Sequence, residues 1–378
     1  MELTLNQAVM NVQMSGIRRF TALARSTPGA CTLTIGEPDQ NTPEGVKEAA
    51  KAALEANDTH YPPNNGYPYL LEAISKFEER AHGLPYAPDE IIVTIGATEA
   101  LYISLSTILN PGDEVIIPTP AFSLYESITQ LCRGVAVHLP TEKNRFQIDP
   151  EALRTAITPK TKAIVLTSPN NPTGCIYTKE TLDAIHDVLR DKPIFVLCDD
   201  VYRQLVYTEG YHSFAEYQDM RDRIIVIQSF SKPYAMTGWR VGYCMADAPI
   251  RSRMQVFHQY TVVSAPAFLH PACAAALETD TAQMVELFRG RRDYVYKRLT
   301  DMGLEVQEPE GAFYMFINIE KYGMDSVTFC EKMLKEGLVG LIPVFYFGTE
   351  GYMRLSYCYS DEDLKRGLDR IEKFIRTL

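Results

Sequence analysis

No apolar run in this 378-residue chain is longer than a β-strand, so no segment of about 20 residues could cross a bilayer as a helix. Positive charge is scarce: 37 Lys and Arg stand against 48 Asp and Glu, a formal net charge of −11. A nucleic-acid partner needs a basic face to replace counterions, and an anionic membrane surface needs the same, so both are disfavoured. The first twenty residues have no basic stretch leading into an apolar core, so no secretory signal is expected. C-x-x-C spacing is absent. Cys31, Cys132, Cys175, Cys198, Cys244, Cys273, Cys330 and Cys358 are scattered, several inside apolar runs, as in a cytoplasmic protein with reduced, mostly buried thiols. The histidines form no H-x-x-x-H pair, so no metal site is expected. Both common nucleotide signatures, G-x-x-x-x-G-K-[ST] and G-x-G-x-x-G, are missing, which points away from ATP and NAD.

What is present is a regular alternation. Short runs rich in Val and Ile predict strands at Ile91–Ile95, Glu114–Ile117, Val135–Leu139, Ala163–Thr167, Ile194–Asp199, Ile224–Ser229 and Val241–Met245. Helical patterns lie between several of them, notably Ala97–Leu109 and Lys179–Leu189. Strands alternating with helices predict an α/β fold with a mostly parallel seven-stranded sheet covered on both faces. From about Asp280 the texture changes. Helical segments Thr281–Met302 and Ser326–Glu336 surround strand-like Ala312–Ile317 and Met353–Tyr357, predicting a smaller α+β domain. The expected division is 1–39 as a segment joining the small domain, 40–280 as the large domain, and 281–378 as the small one.

Ligands of open α/β sheets bind beyond the carboxyl ends of the strands. Small residues Gly96-Ala97-Thr98 follow the first strand and open a helix, where backbone N–H groups and the helix dipole suit an anion. Ser168-Pro-Asn-Asn-Pro-Thr-Gly174 follows the fourth, offering a plain turn or two amide donors. Asp199-Asp200-Val201-Tyr202 follows the fifth, where an Asp is commonly a helix cap. After the sixth comes Ser229-Phe-Ser-Lys-Pro-Tyr-Ala-Met-Thr-Gly-Trp-Arg240, with Lys232 between a strand and the only Trp.

S-x-S-K with T-G-W-R downstream resembles the lysine signature of the pyridoxal-phosphate (PLP) aminotransferases of class I and II. N-P-T-G and D-x-x-Y lie upstream at matching spacing. The resemblance runs from Leu33-Thr-Ile-Gly-Glu-Pro-Asp39 and Tyr61-Pro-Pro-Asn-Asn-Gly66 to Gly311-Ala-Phe-Tyr314 and Tyr352-Met-Arg-Leu-Ser356. It implies fold type I and is nearest to the bacterial aminotransferases of broad or aromatic specificity.

The resemblance implies roles. Lys232 would hold PLP as a Schiff base and shuttle the proton at the substrate's Cα. Asp199 would keep the pyridine nitrogen protonated, and Asn171 and Tyr202 would bond the cofactor's O3′. Gly96, Ala97, Thr98, Ser229, Ser231 and Arg240 would hold the phosphate, Arg being suited by its planar fork. Phe122 would stack on the ring. Tyr61 would reach the partner's phosphate in a homodimer with shared active sites. Arg354 and Gly36 would bind the substrate carboxylate, while Ile17 and Phe20 would line the side-chain pocket. The expected activity moves the amino group of an aromatic or broad range of L-amino acids to a 2-oxo acid such as 2-oxoglutarate. A C–S β-lyase and an aspartate aminotransferase are the alternatives on the same cofactor. A Lys that grips the distal carboxylate in some aspartate-specific relatives is replaced here by Thr98, which disfavours aspartate. A PLP-binding transcription regulator would need a DNA-binding module before Gly36, where the chain is too short for one.

Overall fold

The computed structural model describes residues 3–378. Its centre is a seven-stranded sheet in the order Ile91–Thr94, Gly242–Ala246, Ile224–Ser229, Phe195–Asp199, Thr161–Thr167, Glu114–Thr119, Val135–Pro140. Six strands run one way. Gly242–Ala246 alone runs antiparallel to both neighbours. All seven were foreseen within one or two residues at most ends. The reason is burial: every residue of Ile224–Ser229 is buried, and so are four of the five in Phe195–Asp199. Strands covered on both faces must be apolar throughout, and such runs are conspicuous. Val135–Pro140 is one of the two edge strands, and it is the most exposed of the seven.

A second, four-stranded antiparallel sheet is made of Ile342–Pro343, Tyr352–Ser356, Tyr314–Asn318 and Glu305–Val306. Helix Ala282–Asp301 was foreseen. The pattern over Ser326–Glu336 was read as one helix; the structure ends the α-helix at Lys332 and closes Met333–Gly337 as a wider π-type turn. Gly337 sits there because a Cβ would come within 3.0 Å of the Met333 sulfur. Near the N-terminus, Cys31–Thr32 pairs in parallel with Val339–Gly340. Phe20, Ala24, Cys31 and Leu33 share an apolar cluster with Phe316, Leu355 and Leu368. Helix Gly16–Ser26, which supplies Phe20 and Ala24, was not singled out from sequence.

Behind the sheet end that carries Asp199 lies a buried ionic network. Arg203 pairs with both oxygens of Glu78, whose side chains are 1% and 0% exposed, and the Tyr243 hydroxyl donates to the same carboxylate. Asp200 accepts from the Ser213 hydroxyl at 2.6 Å, and the Gln228 amide donates to the Asp200 carbonyl at 3.0 Å. Burial pushes the Asp200 carboxyl up to about 7, against the pull of Arg203. Removing one member strands the other charge out of water. Glu78→Ala is therefore expected to lower unfolding free energy by about 3–5 kcal/mol in urea titrations. Lys297→Ala, which breaks the exposed Lys297–Asp301 pair, should leave the midpoint nearly unchanged. Equal midpoints for the two variants would contradict this.

Candidate active site

The strand ends converge as the open-sheet rule requires. Thr167 and Asp199 close neighbouring strands in register, and Ser229 pairs with Gly242, which also pairs with Thr94. A Cβ on Gly242 would lie 2.5 Å from the Gln228 carbonyl and 3.0 Å from the Ala97 nitrogen, so only glycine lets the Gly96–Ala97 turn rest on the sheet. Gly96 itself has φ of +74° and opens helix Gly96–Ile108. Arg240 Nη2 lies 2.7 Å from where a Gly96 Cβ would stand, and Arg240 Nη1 donates to the Thr237 carbonyl. Ser229 and Ser231 are buried beside it, with the Ser231 N–H donating to Ser229 Oγ at 3.1 Å. A helix N-terminus, a guanidinium and two hydroxyls in one place form an anion cradle.

Asp199 sits deeper, 4% exposed. Its Oδ2 accepts from the Tyr125 hydroxyl at 2.7 Å. Tyr125 also lies 2.8 Å from Thr167 Oγ1. A phenol has one hydrogen, and it goes to the carboxylate; Thr167 therefore donates to Tyr125. Burial pushes Asp199 up to about 6, opposed by Tyr125, the Val201 N–H and the nearby Lys232 charge. Oδ1 is buried without a hydrogen-bond partner, which a cationic N–H donor would satisfy. Tyr125 was missed in the sequence. It lies three residues after Phe122, just inside helix Leu124–Leu131, and this close pair of aromatics was the available signal.

Lys232 Nζ donates to the Gly36 carbonyl at 2.7 Å and lies 5.6 Å and 5.8 Å from the ring centroids of Phe313 and Tyr202. Burial pulls its pKa down to about 8; Arg354 and Arg240 add to this, while Cys358 and Glu37 oppose it. The Tyr202 and Tyr314 hydroxyls share a hydrogen bond of 2.8 Å. A Cβ on Gly36 would lie 1.9 Å from the Tyr314 oxygen, so this approach demands glycine. Arg354, 2% exposed, donates to Asn171 Oδ1 at 2.8 Å and to the Thr34 carbonyl at 2.5 Å. Its guanidinium faces the rings of Tyr314 at 4.5 Å and Phe347 at 4.9 Å, and its Nε is buried without a partner. A planar cation with an unfilled donor suits a carboxylate.

Lys232, Gly36, Asn171, Tyr202 and Arg354 are thus linked by direct contacts, partly through Tyr314, whose place in the motif was noted but whose contacts were not foreseen. Phe122 is half-buried against Tyr125, with ring centroids 6.3 Å apart. Ala97 is half-buried and Thr98 exposed at the helix start. Tyr61 stands apart, 87% exposed. Ile17 is half-buried against the apolar cluster that holds Phe20, Phe316 and Leu355. Phe20 is 3% exposed and packs with Ala24 in the same apolar cluster, which also holds Tyr202 and Tyr314. Among the described residues no cluster of His, Cys, Asp and Glu could hold a metal ion, and no helix is long and apolar enough to cross a membrane.

Residues 29–371 match the family described as aminotransferase class I and II. The chain is 40% identical to a probable N-acetyl-LL-diaminopimelate aminotransferase of Bacillus subtilis, over 99% of this chain and 96% of the relative. It is 38% identical to an aromatic-amino-acid aminotransferase 2 of Thermococcus litoralis, over 99% of both. An aspartate aminotransferase of Thermus thermophilus with maleate superposes with a TM-score of 0.94 at 35% identity, over 98% of this chain and 100% of that one.

The raised pKa of Asp199 carries a stability consequence. The folded value of about 6 lies above the ordinary 3.8, so folding disfavours the ionised form, and stability from this group falls as pH rises from about 3.8 to about 6. Asp199→Asn should therefore stabilise the cofactor-free protein at pH 8, by on the order of 2 kcal/mol, and change little at pH 3.5. Thermal melts at both pH values check this; an unchanged melting temperature at pH 8 would contradict it.

Proposed function

The chain belongs to the aminotransferase class I and II family, and we propose that it uses pyridoxal 5′-phosphate on Lys232 to carry an amino group from an aromatic or broad range of L-amino acids to a 2-oxo acid such as 2-oxoglutarate. The observation that carries this is the unpartnered, buried Oδ1 of Asp199, within electrostatic reach of a lysine whose pKa burial has brought to about 8. When bound, the cofactor supplies an electron-poor pyridine ring that takes up charge from the substrate's Cα. Everything else falls to the chain. Asp199 holds the proton on the ring nitrogen, and the Thr167–Tyr125 donors favour its ionised form. Tyr202 and Asn171 bond the cofactor's O3′. The Ala97 and Thr98 amides, Ser229, Ser231 and Arg240 hold the phosphate, with Phe122 against the ring.

Lys232, with a pKa near working pH, would take the proton from the substrate's Cα and hand it to the cofactor's C4′ carbon, across the nitrogen that joins them. Arg354 fixes the substrate's α-carboxylate with Gly36 beside it, and Ile17 borders the side-chain pocket. Tyr61 is exposed together with Tyr260, 83% exposed, which suits a second copy of the chain packing there and lending Tyr61 to its neighbour's phosphate. The proposed enzyme is a cytoplasmic homodimer. Relatives whose names span diaminopimelate, aromatic and aspartate substrates support a broad pocket, and Thr98 weighs against aspartate as the chief donor.

Borohydride should bleach the yellow protein and fix the cofactor on Lys232 in peptide mapping, and in a donor panel with 2-oxoglutarate aromatic amino acids should outpace aspartate. A label elsewhere sinks the cofactor assignment; aspartate as the fastest donor sinks the substrate assignment. Asp199→Ala should slow exchange of the substrate's Cα hydrogen with solvent by on the order of a thousandfold. Asp200→Asn is the control, because successive strand residues face opposite ways and Asp200 faces Ser213 and Arg203. Loss of exchange in Asp200→Asn with exchange kept in Asp199→Ala would overturn the assignment.

A further inference from the structure

Behind the anion cradle lies a buried pair that the proposed chemistry leaves unused. Glu99 stands in the first turn of helix Gly96–Ile108 and His258 near the end of helix Ala248–Thr261, with side chains 6% and 0% exposed. His258 Nδ1 lies 2.7 Å from Glu99 Oε1, and His258 Nε2 lies 2.7 Å from the Asn64 carbonyl. Glu99 Oε2 accepts the Ile95 N–H at 2.5 Å. A carbonyl only accepts, so Nε2 carries a hydrogen. The contact between Nδ1 and Oε1 then needs one more proton, held by either atom. In both forms the pair is neutral overall and every polar atom is satisfied.

Three segments meet here. Ile95 directly precedes Gly96, whose φ of +74° turns the chain into the helix that opens the cradle. Asn64 and Asn65 close the stretch that begins at the exposed Tyr61 and in which Pro62 is buried. That stretch is pinned twice more, by the Val93 N–H donating to the Asn65 carbonyl at 3.0 Å and by Asn64 Nδ2 donating to the Val263 carbonyl at 2.8 Å. His258 is fixed by its own helix, so it sets the distance between the other two.

We propose that Glu99 and His258 are positioning residues for the cofactor's phosphate: through one shared proton they set the Ile95–Ala97 backbone of the protomer's own cradle and the base of the loop that presents Tyr61. This rests on the PLP assignment above. It predicts a defect confined to the phosphate. Cofactor-free protein is titrated with PLP and, separately, with pyridoxal, which lacks the phosphate. Glu99→Leu strands the Ile95 N–H and His258→Phe strands the Asn64 carbonyl. Each should raise the PLP dissociation constant about tenfold while the pyridoxal constant stays within about twofold.

Glu99→Gln should keep the wild-type ratio of the two constants. Its amide oxygen can accept from Ile95 while its NH2 donates to His258 Nδ1, so all three bonds survive without the extra proton. His258→Gln, a milder change, carries the test if the larger ones prevent folding, and should shift the ratio in the same direction. An unchanged ratio in the disruptive variants overturns the proposal, as does a parallel loss of both ligands or a shifted ratio in Glu99→Gln. A wild-type protein that does not distinguish PLP from pyridoxal would instead defeat the functional assignment.

Discussion

The arrangement turns on one carboxylate kept where the sheet would rather have it neutral. Asp199 ends a strand whose other residues are apolar and mostly buried, and burial alone pushes its proton affinity up. Two donors and one charge oppose that push: Tyr125 backed by Thr167, the Val201 N–H, and the positive field of Lys232. They leave one oxygen unbonded. A buried acceptor without a donor is a standing penalty that a ligand can remove, so the site is built at the expense of the unliganded fold. Lys232 mirrors it: the same burial that raises the acid lowers the amine, and the two are brought towards the pH range in which both can exchange protons.

Much of this was legible in the sequence because it lies at strand ends. Buried parallel strands announce themselves as short apolar runs, and their carboxyl ends fix where Gly96, Ser168, Asp199 and Ser229 must gather. The choice of Asp199 over Asp200 came from the resemblance, with D-x-x-Y at matching spacing; the period of two says only that the neighbours face opposite ways, and the structure puts Asp200 with Ser213 and Arg203. What was not legible is held by partners distant in sequence. Glu78 and Arg203 are 125 residues apart, Glu99 and His258 are 159 apart, and Asn171 and Arg354 are 183 apart. No local period encodes such pairs. A lone buried histidine on a helix reads as core until the carboxylate opposite it is known.

The glycines divide along the same line. Gly36, Gly96 and Gly242 all lie where a Cβ would strike a functional neighbour: the Tyr314 hydroxyl, the Arg240 guanidinium, or the turn carrying Ala97. Others, such as Gly45 and Gly238, have open space around them. Crowding at the first group shows how closely backbone and side chains are packed in the candidate site. There, backbone carbonyls, as at Gly36 and Thr34, do work that a side chain would do in a looser site.

The strand Gly242–Ala246 has a consequence for how the chain is made. Among the described residues it is the only sheet neighbour of Ile91–Thr94, and it emerges from the ribosome roughly 150 residues later, a delay of about ten seconds or more at ordinary synthesis rates. Until then Ile91–Thr94 has an unpaired edge of three bulky apolar residues and a threonine, the kind of edge that recruits other strands. The anion cradle cannot exist before that strand inserts, since Gly242 supplies the floor under Ala97. The cradle is therefore completed late in synthesis, and the nascent chain is most vulnerable to misassociation in the interval that precedes it.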